Sequence, residues 1–209
     1  FYNIENSGKK GDKNISNQSY KPNLETIFPI WSMSKPITIV AMMILRERGM
    51  ISINDNLSKY IPEFKNMTCK GEKGKYPCKK EIKIIHLLTH RSGFGYYSDQ
   101  GYGYGFTNTL TYNNLKDFAK DLSKVELEFE PGEKYYYGLN QALLGRVVEI
   151  VSNKSFYDFL KDEIFDPLKM TETKFYLTEN DRSRFQPLFI NTGELKGFTY
   201  ELNELTYKK

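Results

Sequence analysis

The feature that most constrains this chain is a run of apolar residues with a serine and a lysine at its start. From Ile37 to Leu45 every residue except Thr38 is apolar. These residues occupy nearly every side of a helix, which predicts a buried helix from Ser32 to Arg48. Gly49 can supply the left-handed residue that ends such a helix. The run is much shorter than the roughly 18 apolar residues needed to cross a bilayer, so we predict no membrane span in this segment.

Ser32 and Lys35 stand three residues apart at the beginning of this helix. Residues at that spacing share a helical face, whereas Ser34 points elsewhere and is the poorer nucleophile candidate. A lysine amine can take the proton of a serine hydroxyl when burial disfavours its charged form. The spacing alone is a weak signal, because Ser32 could also cap the helix while Lys35 is solvated.

The composition is that of a globular protein. Of 209 residues, 39% are apolar and 27% are charged, and the net charge is +4. The basic residues form no long run, which argues against a nucleic-acid partner.

The pattern along the chain divides it into three parts. Residues 1–24 are polar and aperiodic, so they are predicted to be a loop that leaves a strand. The middle is predicted to be helical, because apolar residues recur at helical spacing at 115–122, 143–151 and 156–164. Shorter apolar segments lie at 57–61 and 82–89. A long Gly- and Tyr-rich loop is predicted at 94–106. After Phe185, short apolar runs at 188–190 and 198–202 predict a hairpin across Asn191-Thr192-Gly193.

Two cysteines flank a polar stretch. Cys69 and Cys78 are the only cysteines, and they indicate a small disulfide-closed loop if the compartment is oxidising. Four N-x-S/T acceptor sequences begin at Asn14, Asn17, Asn66 and Asn153. We therefore predict a secretory, extracellular or cell-surface location. The alternative is an organellar or cytoplasmic protein with two free thiols.

Three segments in order resemble the serine β-lactamase and penicillin-binding protein family, in particular its esterase-like and lactamase-like branch. They are IFPIWSMSKPITIVAMMILRERGMISINDNLSKYIPEF at 27–64, IKIIHLLTHRSGF at 82–94 and PGEKYYYGLNQALLGRVVEIVSNKSFYDFLKDEIFDPLKMTETKF at 131–175. The resemblance runs from Glu25 to Phe175.

The resemblance implies an α+β fold in which a helical region packs on an antiparallel sheet, with the active site between them. We expect one partial domain over 1–209, with a leading segment at 1–24, the helical region at 25–175 and the start of the C-terminal part at 176–209. It also implies an acyl-enzyme mechanism without a cofactor, in which Ser32 is the nucleophile, Lys35 its basic partner and Tyr137 the second-motif tyrosine.

The second motif departs from the family pattern. It reads Tyr137-Gly138-Leu139, and Asn140 follows one place late. The missing carboxamide at the third position favours an esterase-like variant, and Asn140 stays a candidate for substrate binding. Tyr135 and Tyr136 compete with Tyr137, but the offset from the Pro131-Gly132 turn favours Tyr137.

The two histidines are interpreted as structural. The resemblance puts His86 and His90 in a segment that supports the helical region. Two histidines without a carboxylate cluster also make a poor metal site. A third family motif, K-T-G or H-x-G, has no convincing match, because Asn191-Thr192-Gly193 comes too early and is better explained as a turn. We expect that motif to lie outside this chain.

The leading hypothesis is a serine hydrolase that forms an acyl intermediate on Ser32 with an ester, amide or β-lactam, from a small-molecule or peptide substrate. The alternative is a protein of the same fold that has lost turnover and serves as a scaffold or filament component with protein assembly partners.

Overall fold

Helices are the main regular elements of the described residues, as their apolar spacing predicts. The computed structural model describes residues 23–28, 30–95, 97–98, 101–102, 112–178, 180–181, 184, 188–190 and 198–200. The α-helices in this part are α1 (Ser34–Glu47), α2 (Ile84–Leu88), α3 (Leu115–Leu122), α4 (Asn140–Ser152) and α5 (Phe156–Leu160). Single 3-10 turns cover Trp31–Met33, Leu57–Lys59 and Pro62–Phe64, and a π-helical turn, Lys161–Phe165, continues α5. None of the described helices is long and apolar enough to cross a membrane.

The strands in the described part of the chain form three antiparallel hairpins. Their bounds are β1 (Thr68–Gly71) with β2 (Gly74–Pro77), β3 (Tyr97–Ser98) with β4 (Gly101–Tyr102), and β5 (Leu188–Ile190) with β6 (Phe198–Tyr200). The β5–β6 register pairs Leu188 with Tyr200 and Ile190 with Phe198, which confirms the predicted hairpin. Its turn, including Asn191-Thr192-Gly193, lies outside the described residues, as does most of the Gly- and Tyr-rich loop.

The chain divides into two units. One comprises Phe1–Ser32 with Thr171–Lys209, and the other is Met33–Met170. The predicted division at 1–24, 25–175 and 176–209 was drawn along the sequence alone, and it stays a prediction.

Helix α4 is the centre of the Met33–Met170 unit. It packs against α1, α2, α3 and α5. Its inward face is fully buried and consists of Leu143, Leu144, Val147 and Val148. A Cβ added at Gly145 would lie 3.1 Å from Leu115 and 3.2 Å from Phe156, so the absent side chain lets the neighbouring helices approach α4 closely.

Helix α1 is less buried than its sequence predicts. Its buried residues are Thr38, Ala41, Met42 and Leu45, whereas Val40 is 47% exposed. Among the described elements α1 packs mainly on α4 and α5, so its buried residues lie on one face. The prediction of a helix buried all round is therefore wrong for the described part of the chain.

The predicted disulfide-closed loop is confirmed, and the polar stretch within it forms a hairpin. A disulfide joins Cys69 on β1 to Cys78 just after β2, with 5.1 Å between their Cα atoms. The hairpin also pairs with the chain at Leu127, since Lys70 N–H donates to Leu127 O at 2.8 Å and Leu127 N–H donates to Thr68 O at 2.8 Å. Lys70 and Glu128 form an ion pair at 2.9 Å beside it.

Charged side chains organise the other unit. Asp181 is 2% exposed and accepts hydrogen bonds from Thr178, Lys174 and Arg184. These bonds, with the Thr178 N–H as the largest contribution, hold the pKa of Asp181 well below its ordinary value. Arg184 also donates to Glu25 O at 3.1 Å. The cluster thus anchors the segment that leads toward Ser32.

We expect the denatured, unreduced protein to show no reactive thiol in a thiol titration, because both cysteines are in the disulfide. Replacing both cysteines by alanine should lower the free energy of unfolding by about 2–3 kcal/mol, the loop-closure value for a ring of this length. Chemical denaturation measures this change. Two titratable thiols in the untreated protein would contradict the disulfide.

Candidate active site

Ser32 lies in the 3-10 turn that leads directly into α1. Its side chain is exposed, and Lys35, the second residue of α1, is half-buried. The N-cap position of α1 is Met33, whose side chain makes no capping hydrogen bond. The interpretation of Ser32 as a structural cap stays an alternative. The free N–H groups and the dipole of this helix end favour negative charge nearby.

The amine of Lys35 lies over the aromatic ring of Tyr137. The Lys35 Nζ lies 4.7 Å from the centroid of the Tyr137 ring, within the range of a cation–π contact. Tyr137 is 38% exposed, so its ring is supported on one side and accessible on the other. The amine and the phenol that the sequence predicted as partners are thus neighbours.

The competing tyrosines have other surroundings. Tyr135 is 65% exposed. The ring of Tyr136 lies 6.3 Å from that of Phe129 and is half-buried. The choice of Tyr137 among the three tyrosines stays a prediction, and its contact with Lys35 is the geometry that agrees with it.

His90 supports the tyrosine loop, which we define as residues 134–139. Its imidazole lies 4.7 Å from the Tyr137 ring at an angle of 30°. Its Nδ1 accepts a hydrogen bond from Gly138 N–H at 3.2 Å and lies 2.9 Å from Asn140 Nδ2. Its carbonyl oxygen accepts from Tyr136 N–H at 2.8 Å. His90 thereby holds both the ring and the backbone of this loop.

Asn140 faces the core rather than a ligand. It is fully buried at the first turn of α4. Ser92 Oγ donates to its Oδ1, and its Nδ2 faces His90 and Phe94 O. The predicted role in substrate binding is not supported, because the one-place delay in the motif turns this amide inward.

The tyrosine loop packs backbone to backbone on residues 90–95. A Cβ added at Gly138 would lie 2.4 Å from the Cα of Gly95. One added at Gly95 would lie 2.3 Å from the Tyr136 ring. A side chain at Gly138 would therefore push the two backbones apart, and one at Gly95 would displace the Tyr136 ring.

His86 also has a structural position. Its Nδ1 accepts from Lys83 N–H at 3.1 Å. Burial lowers the pKa of His86, and the neighbouring charges of Lys83, Lys80 and Arg91 add to this effect. Both histidines thus support loops of the helical unit, as the sequence predicted.

The polar network of His90, Ser92 and Asn140 was not predicted as a unit. The sequence signal was present, since His90 and Ser92 are polar residues directly after the apolar run of α2. Their partner lies 48 residues further along the chain, and only the fold brings Asn140 to them.

Comparison with known proteins agrees with this architecture. Residues 10–195 match the profile of the beta-lactamase family, and the chain belongs to that family. Its fold is of the β-lactamase and penicillin-binding protein type, which confirms the predicted α+β class.

Three similar proteins illustrate the relationship. Esterase EstB of Burkholderia gladioli is 30% identical over 165 residues, which are 76% of this chain and 41% of the esterase. Teichoic acid D-alanine hydrolase of Staphylococcus aureus is 29% identical over 202 residues, which are 96% of this chain and 41% of that protein. The crystal structure of FmtA from Staphylococcus aureus superposes with a TM-score of 0.67 at 26% identity, covering 88% of this chain and 47% of FmtA. The chain thus spans less than half the length of these relatives.

We expect Gly138→Ala to lower the free energy of unfolding by about 1–3 kcal/mol, the usual cost of overpacking, because its Cβ would overlap backbone atoms. Gly145→Ala is the matched control. Its Cβ meets only side chains at 3.1 Å and beyond, and alanine gains up to about 1 kcal/mol of helix propensity. Thermal unfolding compares the two variants. Equal stability would show that the close approach of Gly138 to Gly95 is not a constraint.

Proposed function

We propose that this chain carries the acylation centre of a serine hydrolase, with Ser32 as nucleophile and Lys35 and Tyr137 as its proton-transfer partners. The observation that carries the proposal is the contact of 4.7 Å between the Lys35 amine and the Tyr137 ring. Lys35 follows Ser32 by three residues in a continuous helical segment, a spacing that puts side chains on one face.

In the first step the Ser32 Oγ attacks the carbonyl carbon of the substrate. The hydroxyl proton passes to the Lys35–Tyr137 pair, which we treat as a unit. The carbon–leaving group bond then breaks, and the leaving group takes the proton. The helix N–H groups near Ser32 supply positive character where negative charge develops on the reacting centre.

In the second step water regenerates the enzyme. A water oxygen attacks the acyl carbon and gives its proton to the same pair. The ester bond to Ser32 breaks, the serine oxygen recovers a proton, and the acid leaves. Over the cycle one water is consumed for each acyl bond cleaved.

Esters are the proposed substrate class. The third position of the second motif is Leu139, and the nearby amide of Asn140 is fully buried. No carboxamide of this motif is therefore available to bind the amide group of a peptide or β-lactam. The name of one relative, an esterase, supports this substrate class.

We further propose a secretory, extracellular or cell-surface location. The Cys69–Cys78 disulfide supports this proposal, since disulfides persist in oxidising compartments.

The alternative function is a scaffold that has lost turnover. It predicts the same fold, so only a test of chemical reactivity separates the scaffold from the hydrolase.

We expect a fluorescent fluorophosphonate to label the protein and Ser32→Ala to abolish labelling, because the probe forms a bond with an activated serine oxygen. Ser34→Ala is the matched control and should label within about threefold of the unchanged protein, since Ser34 lies outside the proposed face. Gel fluorescence measures the labelling rate. Loss of labelling in Ser34→Ala instead would identify Ser34 as the nucleophile. An unlabelled parent protein would support the scaffold alternative.

We expect Tyr137→Phe to slow hydrolysis of 4-nitrophenyl acetate by about 10²–10⁴-fold, the usual contribution of a positioned acid–base group. Tyr135→Phe removes a phenol that is 65% exposed, and its rate should stay close to that of the unchanged protein. Thermal unfolding of both variants excludes misfolding as the cause. Equal rates for the two variants would exclude Tyr137 from proton transfer.

A further inference from the structure

We infer that neutral His90, with its proton on Nε2, is the positioning residue that holds Tyr137 beside Lys35, and that protonation of His90 releases this arrangement. The inference rests on the proposed function for its kinetic consequences. The geometry of His90 stands independently of that function.

The hydrogen bonds of Nδ1 define the tautomer. Gly138 N–H points to this nitrogen at 3.2 Å, and the Asn140 amide is 2.9 Å away with its Oδ1 already occupied by Ser92. A nitrogen that faces two N–H donors must offer a lone pair. The ring proton therefore belongs on Nε2.

The side-chain amide of Gln141 lies near the other ring nitrogen of His90. Its Nε2 lies 3.5 Å from the Nε2 of His90, while its buried Oε1 has no hydrogen-bond partner among the described residues. Two N–H groups cannot bond to each other. An amide turned about its last torsion would place Oε1 beside the imidazole N–H, at the position that the amide Nε2 now occupies. The neutral tautomer with its proton on Nε2 thus has an acceptor within reach.

Protonation breaks this set of bonds. A proton on Nδ1 would point at the Gly138 N–H and the Asn140 amide, so both donors would lose their acceptor. The backbone of the tyrosine loop would then lose the bond that lies next to Tyr137. The stacked ring of His90 would also carry a positive charge close to Lys35.

A nearby positive charge opposes the protonation of His90, since Lys35 approaches from α1. The rings of Tyr135 and Tyr137 lie at 6.0 and 4.7 Å, and Arg91 is the next residue in the chain. Burial is the main cause that lowers the pKa of His90, and the charge of Lys35 adds to it. The folded protein thus binds this proton less readily than the unfolded chain. The arrangement is complete above about pH 6.5, the ordinary histidine value, and is lost as the pH falls through the lower pKa of the folded protein.

The backbone of His90 allows a matched pair of variants. Its φ is +54°, a left-handed conformation that asparagine and glycine accept readily. In His90→Asn the Oδ1 takes the place of Nδ1 as an acceptor that does not titrate. His90→Gly removes the acceptor without backbone strain. Both variants lose the ring, so their difference isolates the hydrogen bonds to the tyrosine loop.

The kinetic test measures fluorophosphonate labelling from about pH 5 to 8 with the full chain. At the upper end His90→Gly should label about 10²-fold more slowly than His90→Asn, the cost of a misplaced group. The loss of rate below about pH 6.5 should be absent in His90→Asn. Gln141→Glu should move that loss to higher pH, because a carboxylate beside Nε2 favours the charged ring. Equal rates for the Asn and Gly variants, or an unchanged acid limb in His90→Asn, would overturn the inference.

A measurement without turnover separates failure of this inference from failure of the proposed function. The chain has two histidines, so the ¹⁵N signals lost in His90→Asn identify His90. We expect a protonated Nε2 and an unprotonated Nδ1 at about pH 8, and Tyr137 ring signals that shift as His90 titrates. A proton on Nδ1, or Tyr137 signals that ignore the titration, would overturn the inference even if the protein is labelled. The expected signals in an unlabelled protein would sustain the role of His90 while the hydrolase proposal fails.

Discussion

The approach of Gly138 to Gly95 is the constraint on which the candidate site depends. A Cβ at Gly138 would overlap the backbone of Gly95, and one at Gly95 would overlap the Tyr136 ring. His90 holds the same loop through its side chain and its carbonyl oxygen. These contacts with residues 90–95 fix the position of the tyrosine loop. The distance of 4.7 Å between Lys35 and the Tyr137 ring follows from that placement together with the packing of α1 on α4.

The support extends behind residues 90–95. Gly93 has a φ of +98°, and a Cβ there would lie 2.8 Å from Phe129 O, so this turn packs directly on the chain at 127–129. That stretch in turn pairs with β1, the strand that carries Cys69. The disulfide hairpin thus contributes to the backing of the site at a distance. Its polar residues form the paired strands β1 and β2, which the disulfide closes into a ring.

The sequence predicted what depends on local spacing. The helices at 115–122, 143–151 and 156–164 appear close to their expected positions, because each carries an apolar face of regular period. The interpretation of Lys35 and Tyr137 as neighbours depended on family resemblance, and the structure brings these two together. Local spacing also predicted the pairing of β5 with β6, although both strands are short.

What the sequence missed depends on contacts between distant residues. The hairpin at 68–77 has no alternation of apolar residues, and its partner at Leu127 is 58 residues from Cys69, so its pairing left no local pattern. The inward turn of Asn140 depends on Ser92 and His90, which come from another segment. The partial exposure of α1 likewise reflects which elements of its unit pack on it, a property that an apolar run cannot encode.

The central claim is that the oxygen of Ser32 forms the covalent intermediate. Peptide mass spectrometry after fluorophosphonate treatment tests it most directly, since it locates the adduct on a residue. We predict a single modified peptide, with fragment ions that assign the added mass to Ser32. Modification of another serine, or a fully unmodified Ser32 in folded protein, would contradict the account.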